Sequence, residues 1–226
     1  SWQPHMPPGK STAHLLRNLR ERPKIMGLAR NPLLLTIIAY LYTDTPFVLP
    51  HSRTAFYDKA LAVLLEQSDQ VKGIPNRFTA DEKRLVLQHL ALFNQENAIA
   101  QGHNRRSMDL PTVLEEIKKV LPSINRRPED ARPLLKEIVE RSGLLLALDG
   151  GLRYQFTHLT LQEFFAAQAL QDDANLLIAH FKTDPDVWRE TVKLWCGLAH
   201  NSTDLIRAIC DDYPITAFEC LSDAQK

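Results

Sequence analysis

The sequence is poor in cysteine, has no net charge and lacks a long apolar run, and each absence removes a class of protein. Cys196, Cys210 and Cys220 are odd in number and far apart, which favours a reducing, cytoplasmic compartment over a disulfide framework. The 27 basic residues balance the 27 acidic ones, so no overall field attracts nucleic acid or an anionic membrane. The longest apolar run, residues 31–42, is too short to span a bilayer.

Patterns that carry enzyme chemistry are also missing. The sequence contains no G-x-S-x-G, no H-E-x-x-H and no Cys–His nucleophile pattern, so we predict no catalytic residue. Cys196 and His200 are one helical turn apart, but no second pair of ligands lies nearby in sequence, so no metal site is predicted. Residues 9–12, Gly-Lys-Ser-Thr, match the end of a Walker A loop. The glycine that must open such a loop is replaced by Pro4, which has no N–H group to offer a phosphate.

The first part of the chain, residues 1–72, predicts a helical bundle. One helix is predicted over residues 11–21, before Pro23. Asn31 caps a second helix, and Pro32 opens it at a position where a missing N–H group costs nothing. Apolar residues then cover nearly the whole circumference of that helix, which predicts burial on most sides. The chain starts with Ser1 and has no secretory signal, so we expect it to be a fragment of a longer protein.

Residues 73–158 predict a winged helix. Three helices are predicted at about 79–94, 109–121 and 128–141. The Asp149-Gly150-Gly151 turn between two apolar runs then predicts a β-hairpin. Leu152, Tyr154 and Phe156 alternate with polar residues, so the second strand is expected to bury one face. Three helices followed by a hairpin is the winged-helix arrangement.

Residues 159–226 predict helices again. A capping box from Thr160 to Glu163 is expected to open the first of them, and others are predicted at about 173–181, 186–200 and 203–210. Such a succession is typical of the start of a helical-repeat array. The predicted fold class is therefore mainly α: a helical bundle, a winged helix with one β-hairpin, and a repeat-like C-terminal part.

Two stretches resemble NACHT-type signalling NTPases of the STAND class. Residues 28–65 resemble the segment that follows the nucleotide-binding core in that family. Residues 154–170, YQFTHLTLQEFFAAQAL, resemble its winged-helix signature, F-x-H-x-[ST]-x-Q-E-[FY]-[FY]-A-A. The resemblance implies a first helical domain, a winged helix and the start of a second helical domain, without the NTPase core. It also implies a cytoplasmic signalling protein of innate immunity or defence.

The resemblance assigns two residues to nucleotide binding. Pro32 matches the helix-start proline that packs on the adenine base. His158 matches the winged-helix histidine that reaches the β-phosphate of ADP and holds the closed, inactive form. The implied cofactor is ADP or ATP, with Mg²⁺ in the nucleotide-binding core, and this segment alone is not expected to bind it tightly. The implied partners are that core and, after ATP exchange, further copies of the parent chain.

Two other functions compete with this hypothesis. A DNA-binding winged helix would use residues 127–142 as its recognition helix, but acidic residues offset the basic ones there, and the wing offers only Arg153. Nucleic acid is therefore not the expected partner. A helical-repeat scaffold that binds other proteins is the third possibility, since such arrays carry little sequence signature.

Overall fold

The structure is a computed structural model that describes residues 10–43, 49–66, 76–97 and 107–224. Its contacts divide the chain into two compact units, Ser1–Leu61 and Ala62–Lys226. The predicted division into three parts, at residues 72 and 158, stays a prediction. The fold is mainly α with a small antiparallel sheet, as the sequence predicted. In the described ranges, every helix falls short of the length and apolarity that crossing a membrane requires.

The first unit consists of short helices around an apolar core. They are α1 (Thr12–Arg20), α2 (Pro23–Leu28), α3 (Pro32–Thr43) and the first part of α4 (Arg53–Glu66). Ser11 caps α1, since its side chain accepts a hydrogen bond from the His14 N–H group. Pro23 opens α2 as well as ending the predicted first helix, because a proline needs no N–H partner at a helix start. The Lys10 ammonium donates to the Tyr42 carbonyl over 2.6 Å.

Helix α3 begins where the sequence predicted, but it is not buried all round. The Asn31 side chain accepts a hydrogen bond from the Leu34 N–H group over 3.3 Å, which confirms the predicted cap. Leu35 is 43% exposed and Tyr40 is 39% exposed. The expected burial is confirmed for six side chains of α3, whereas four others form an exposed face within the unit; the buried ones are Leu34, Ile37, Ile38, Ala39, Leu41 and Tyr42, and the exposed ones are Pro32, Leu35, Thr36 and Tyr40.

The second unit contains the winged helix. Its elements follow the chain as α5 (Ala80–Glu96), β1 (Ser107–Asp109), α6 (Leu110–Val120), α7 (Ala131–Glu137), β2 (Leu145–Leu148) and β3 (Arg153–Phe156). Thr79 and Glu82 form a capping box at the start of α5, and Asp109 caps α6. Helix α7 continues into a π-helical turn, Ile138–Ser142, which ends at Gly143. The predicted order of three helices and a hairpin is confirmed, with β1 as an additional strand.

The sheet has the strand order β1–β3–β2, and both pairs are antiparallel. Tyr154 of β3 pairs with Met108 of β1 and with Ala147 of β2. Gly150 takes φ 68° in the wing turn, a left-handed conformation that glycine adopts without strain. Leu152 is 66% exposed, which contradicts its predicted place on the buried face of the second strand. It belongs to the turn, and β3 begins only after it.

The rest of the second unit is a stack of helices. They are α8 (Leu159–Ala169), α9 (Ala174–Thr183), α10 (Pro185–Leu198), α11 (Thr203–Cys210) and α12 (Pro214–Asp223). Helix α8 packs against both α5 and α10, and α12 packs against α10 and α11. The C-terminal end of α8 is fixed by the Trp195 indole N–H group, which donates to the Leu170 carbonyl over 2.8 Å.

Candidate functional site

The candidate site forms where strand β3 passes into helix α8. Phe156, the last residue of β3, is buried with its ring 6.0 Å from that of Phe165. Thr157 is tied to the start of the hairpin: its N–H group donates to the Leu144 carbonyl over 3.0 Å, and its hydroxyl donates to the Gly143 carbonyl. These anchors on both sides hold His158 at a fixed point between strand and helix.

His158 is the N-cap residue of α8. Its backbone is extended, with φ −140° and ψ 138°, and its side chain makes no capping hydrogen bond to the helix. Its carbonyl accepts from the N–H groups of Leu161 and Gln162, over 3.1 and 3.3 Å. The predicted capping box from Thr160 to Glu163 is therefore wrong, because the helix starts one residue before Thr160. The first turn of α8 also contains no acidic residue.

A cleft of about 310 Å³ opens at this point. Its walls come from the end of β3 and the first turn of α8, and they carry no aspartate, glutamate, lysine or arginine. The lining residues are Gln155, Phe156, Thr157, His158, Leu159, Thr160 and Gln162. An anion in this cleft would therefore meet no like charge among the lining side chains.

The electrostatics of the cleft favour a neutral imidazole beside a positive helix end. Burial lowers the pKa of His158 below its ordinary value, because the partly buried ring is more costly to charge than one in water. Near pH 7 the ring is therefore neutral, with one nitrogen as a donor and one as an acceptor. The N-terminus of α8 adds the partial positive charge of its first-turn N–H groups, which stabilises nearby negative charge.

Pro32, the other predicted site residue, lies in the first unit, whereas His158 lies in the second. Its ring is exposed at the start of α3. The Thr36 hydroxyl donates to the Pro32 carbonyl over 2.9 Å and so supports the first turn. The exposed ring offers a flat, rigid apolar surface at a fixed place on the helix.

A comparison with protein families identifies the winged helix. A family model described as the winged helix-turn-helix domain C-terminal to NACHT matches residues 53–170, just over half of the chain. The chain belongs to this family. The match includes His158 and the signature that resembled NACHT proteins, and it confirms the suspected relationship. A search of curated proteins finds no match.

The NACHT-associated winged helix is joined to the C-terminal helices by a chain of buried amides. The Asn94 amide donates to the Gln162 side-chain oxygen over 2.8 Å, and the Gln162 amide donates to Gln95 over 2.9 Å. Gln95 in turn donates to the Val187 carbonyl over 2.8 Å and to the Thr191 hydroxyl over 3.3 Å. Gln162, one turn after His158, therefore links α8 to α5, and Gln95 links α5 to α10.

From the sequence we predicted only a capping box from Thr160 to Glu163 here, and this chain of amides was missed. The side chains of Asn94, Gln95, Gln162 and Thr191 are almost completely buried, with Gln162 only 1% exposed. The adjacent amides Asn94 and Gln95 near the end of α5 are the signal that could have pointed to it. Buried amides need partners, but the sequence does not say that these come from α8 and α10.

Helix α7 of this winged helix does not present a basic stripe. Lys136 lies 3.9 Å from Glu140, and Arg141 lies 4.0 Å from Glu137. On the wing, the Arg153 guanidinium donates to Asp149 over 2.6 Å. Because acidic partners lie beside these cations, the surface lacks the concentrated positive charge that phosphate backbones require.

Two of the cysteines, Cys196 and Cys220, are buried in the C-terminal helices. Within the described ranges, no three His, Cys, Asp or Glu residues come together as metal ligands. Cys196 is buried in α10, and its interaction with the buried Cys220 of α12, followed by its burial, raises the pKa of the Cys196 thiol. His200 is exposed in the loop that follows α10. These thiols act as small core side chains where α12 meets α10.

Proposed function

We propose that the chain is the regulatory segment of a NACHT-type STAND NTPase, in which His158 contacts the β-phosphate of ADP. The nucleotide would be held by a nucleotide-binding domain that precedes this segment in the parent protein. The position of His158 carries the proposal: it is the N-cap residue of α8 and lines a cleft without charged lining residues. That cleft belongs to a winged helix of the NACHT-associated family.

The chemistry of the cleft suits a terminal phosphate. A neutral imidazole donates one N–H bond to a phosphate oxygen, and the α8 dipole adds a favourable field over a short distance. A phosphate at the ring also favours the protonated imidazole, which donates a stronger, charge-assisted bond. ADP places its last phosphate at this point, whereas ATP adds a further charged group that the same contact does not accommodate.

This difference between the two nucleotides supplies the switch. A ligand shifts a conformational equilibrium only by its difference in affinity for the two states, about 1.4 kcal/mol for each factor of ten. ADP would stabilise the closed arrangement through His158, and exchange for ATP would release it. The released winged helix and C-terminal helices would then allow parent chains to oligomerise and signal in the cytoplasm.

Pro32 has a separate part in the proposal. Its exposed ring at the start of α3 would pack on the adenine base, as an apolar surface of fixed orientation. Mg²⁺ and the remaining phosphate contacts would belong to the nucleotide-binding domain. We therefore expect the 226-residue chain alone to bind ADP weakly or not at all.

The test compares two histidine substitutions in the full-length protein. His158→Ala removes the proposed phosphate contact, and His200→Ala is the matched control at an exposed loop position. We expect the first variant to lose ADP faster and to show raised basal oligomerisation, and the second to behave as the unsubstituted protein. Nucleotide content is measured by chromatography of the denatured protein, and mass by light scattering. Equal ADP retention in both variants would remove His158 from the mechanism.

A further inference from the structure

Strand β2 lies at an open edge of the small sheet, because the strand order β1–β3–β2 places only β3 beside it. Among the described elements, it packs mainly against β3 and the turns directly before and after it. Its four residues, Leu-Leu-Ala-Leu, include no proline and no charged residue. Natural edge strands usually carry such residues, because these prevent pairing with a strand of another chain. Strand β2 is therefore open to an added strand.

The hydrogen bonds of the hairpin indicate which backbone groups of β2 face the open side. The Thr157 N–H group donates to the Leu144 carbonyl over 3.0 Å. Bonded pairs alternate along an antiparallel ladder, so the backbone of Leu146 bonds to β3, whereas the N–H and C=O groups of Ala147 point away from it. Because Ala147 is exposed, both of these groups can bond to a fourth strand.

A groove of about 280 Å³ lies between helix α7 and the hairpin. Its surface is mostly apolar, and Leu135, which is 2% exposed, forms part of its floor. Ala147 of β2 and Tyr154 of β3 are directly paired, and both line the groove from the sheet. The other lining residues are Leu110, Arg132, Lys136, Val139 and Glu140. A strand added at β2 would therefore direct every second side chain toward this groove.

The charges of the groove favour an acidic partner. Lys136 and Glu140 lie 3.9 Å apart and offset each other. Arg132 also lines the groove and is exposed, and its guanidinium has no ion pair or hydrogen bond within the described part of the chain. The groove therefore has one surplus positive charge beside an apolar surface. A partner that fills it should combine an apolar side chain with a carboxylate.

We propose that β2 binds an extended peptide segment of another protein, which adds a fourth strand to the sheet. The segment has an apolar and an acidic side chain two residues apart, so that both face α7. The apolar side chain fills the groove, and the carboxylate pairs with the Arg132 guanidinium. Backbone hydrogen bonds to Ala147 supply affinity, and the groove supplies selectivity, which is the usual division in strand addition. An intervening side chain of the segment covers Leu146, which is 40% exposed on the other face.

The test measures binding of a fluorescein-labelled heptapeptide to the 226-residue chain by fluorescence anisotropy. This probe has leucine and glutamate at its third and fifth positions and threonine elsewhere. It should bind saturably in the micromolar range or weaker, because one added strand is a small interface. A matched peptide with leucine and glutamate adjacent, and so on opposite faces of the strand, should bind at least about tenfold more weakly. No saturable binding of the probe up to about 1 mM, or equal binding of both peptides, would overturn the proposal.

An exchange of charges tests the contact with Arg132. Arg132→Glu should weaken binding of the probe by about tenfold, because an attraction becomes a repulsion. Arg207→Glu, at an exposed position of α11, changes the net charge equally and should leave binding unchanged. A second probe, with lysine in place of glutamate, should bind the Arg132→Glu chain more tightly than it binds the unsubstituted chain. Equal binding of the second probe to both chains would show that the carboxylate does not meet Arg132, and the proposal would fail.

Changes to backbone hydrogen bonds test whether the peptide adds to β2. Ala147→Pro removes the outward N–H group at an edge position, where strands tolerate proline, and should abolish binding while the helical circular dichroism is kept. Two N-methylated probes give the same test without altering the protein, one methylated at leucine and glutamate and one at the threonines. Only one of them should lose binding, since every second amide of a strand faces its neighbour. Equal binding of both probes, or a chain that dimerises through β2 by light scattering and excludes the probe, would overturn the proposal.

Discussion

Replacement of Gln162 by leucine tests whether the buried amides hold the candidate site in place. Gln162 accepts from Asn94 over 2.8 Å and donates to Gln95 over 2.9 Å. Leucine removes both bonds and has a similar volume. Loss of a partner at a buried amide costs about 1–3 kcal/mol, so two such losses predict about 2–6 kcal/mol. That is a large share of a typical stability of about 5–15 kcal/mol.

The assay is equilibrium urea denaturation, with Gln168→Leu as the control. Gln168 lies on the same helix and makes the same type of bond, a 3.3 Å contact from the Gln88 amide, but it is only partly buried. The identical substitution there should cost less than about 1 kcal/mol, because water replaces the lost partner. Agreement between the two losses in unfolding free energy to within about 1 kcal/mol, which is the uncertainty of the extrapolation, would show that the Gln162 amide does not fix α8.

Two further predictions concern charge. Glu137→Ala leaves the ammonium of Lys83, 1% exposed and 2.8 Å from that carboxylate, without its ion pair. Glu137→Ala should lower the free energy of unfolding by about 3–5 kcal/mol in urea denaturation. The control, Glu140→Ala at an exposed position, should lower it by less than about 0.5 kcal/mol. A loss below about 1 kcal/mol for Glu137→Ala would contradict a buried ion pair. The pKa of His158 is lower in the folded chain than its ordinary value of 6.5. As the pH falls, His158 is therefore protonated in the unfolded chain, at about pH 6.5, before it is protonated in the folded chain. His158 therefore contributes stability above that pH which is lost as the pH falls through its lowered pKa. His158→Gln should flatten the fall in unfolding free energy below about pH 6.5 relative to the unsubstituted chain. Parallel curves for the variant and the unsubstituted chain would contradict the burial of the ring.

Elements with local signals were predictable from the sequence. Asn31 and Pro32 set the start of α3 through hydrogen bonds within one turn, and the structure has the helix there. The wing turn followed from Asp149-Gly150-Gly151, and α11 lies at the predicted residues 203–210. In each case, the residues that determine the structure are neighbours in sequence.

Elements that depend on distant partners were missed or misplaced. Strand β1 has three residues, too few to show an alternation, and it exists because it pairs with β3 some 45 residues later. The start of α8 was placed at Thr160 from its capping pattern, but the anchoring of Thr157 to the hairpin starts the helix earlier. The partners of Gln162 are 67 and 68 residues away, so no local pattern reveals them.

The candidate site was likewise predictable only in part. A motif resemblance pointed to His158, and the structure adds that the residue is an N-cap, partly buried, in a cleft without charged lining residues. Motif spacing contains no information on the pKa of the ring or on the polarity of the walls. Those properties come from the packing of β3, α8 and α5, which the sequence does not display.

The most direct measurement is the distance from the His158 ring to the nucleotide in an experimental structure of the full-length protein with ADP. We predict an imidazole nitrogen within about 2.7–3.2 Å of a β-phosphate oxygen, the range of a hydrogen bond. An ADP-bound, closed protein in which that ring turns into its own winged helix, with no phosphate in contact, would contradict it.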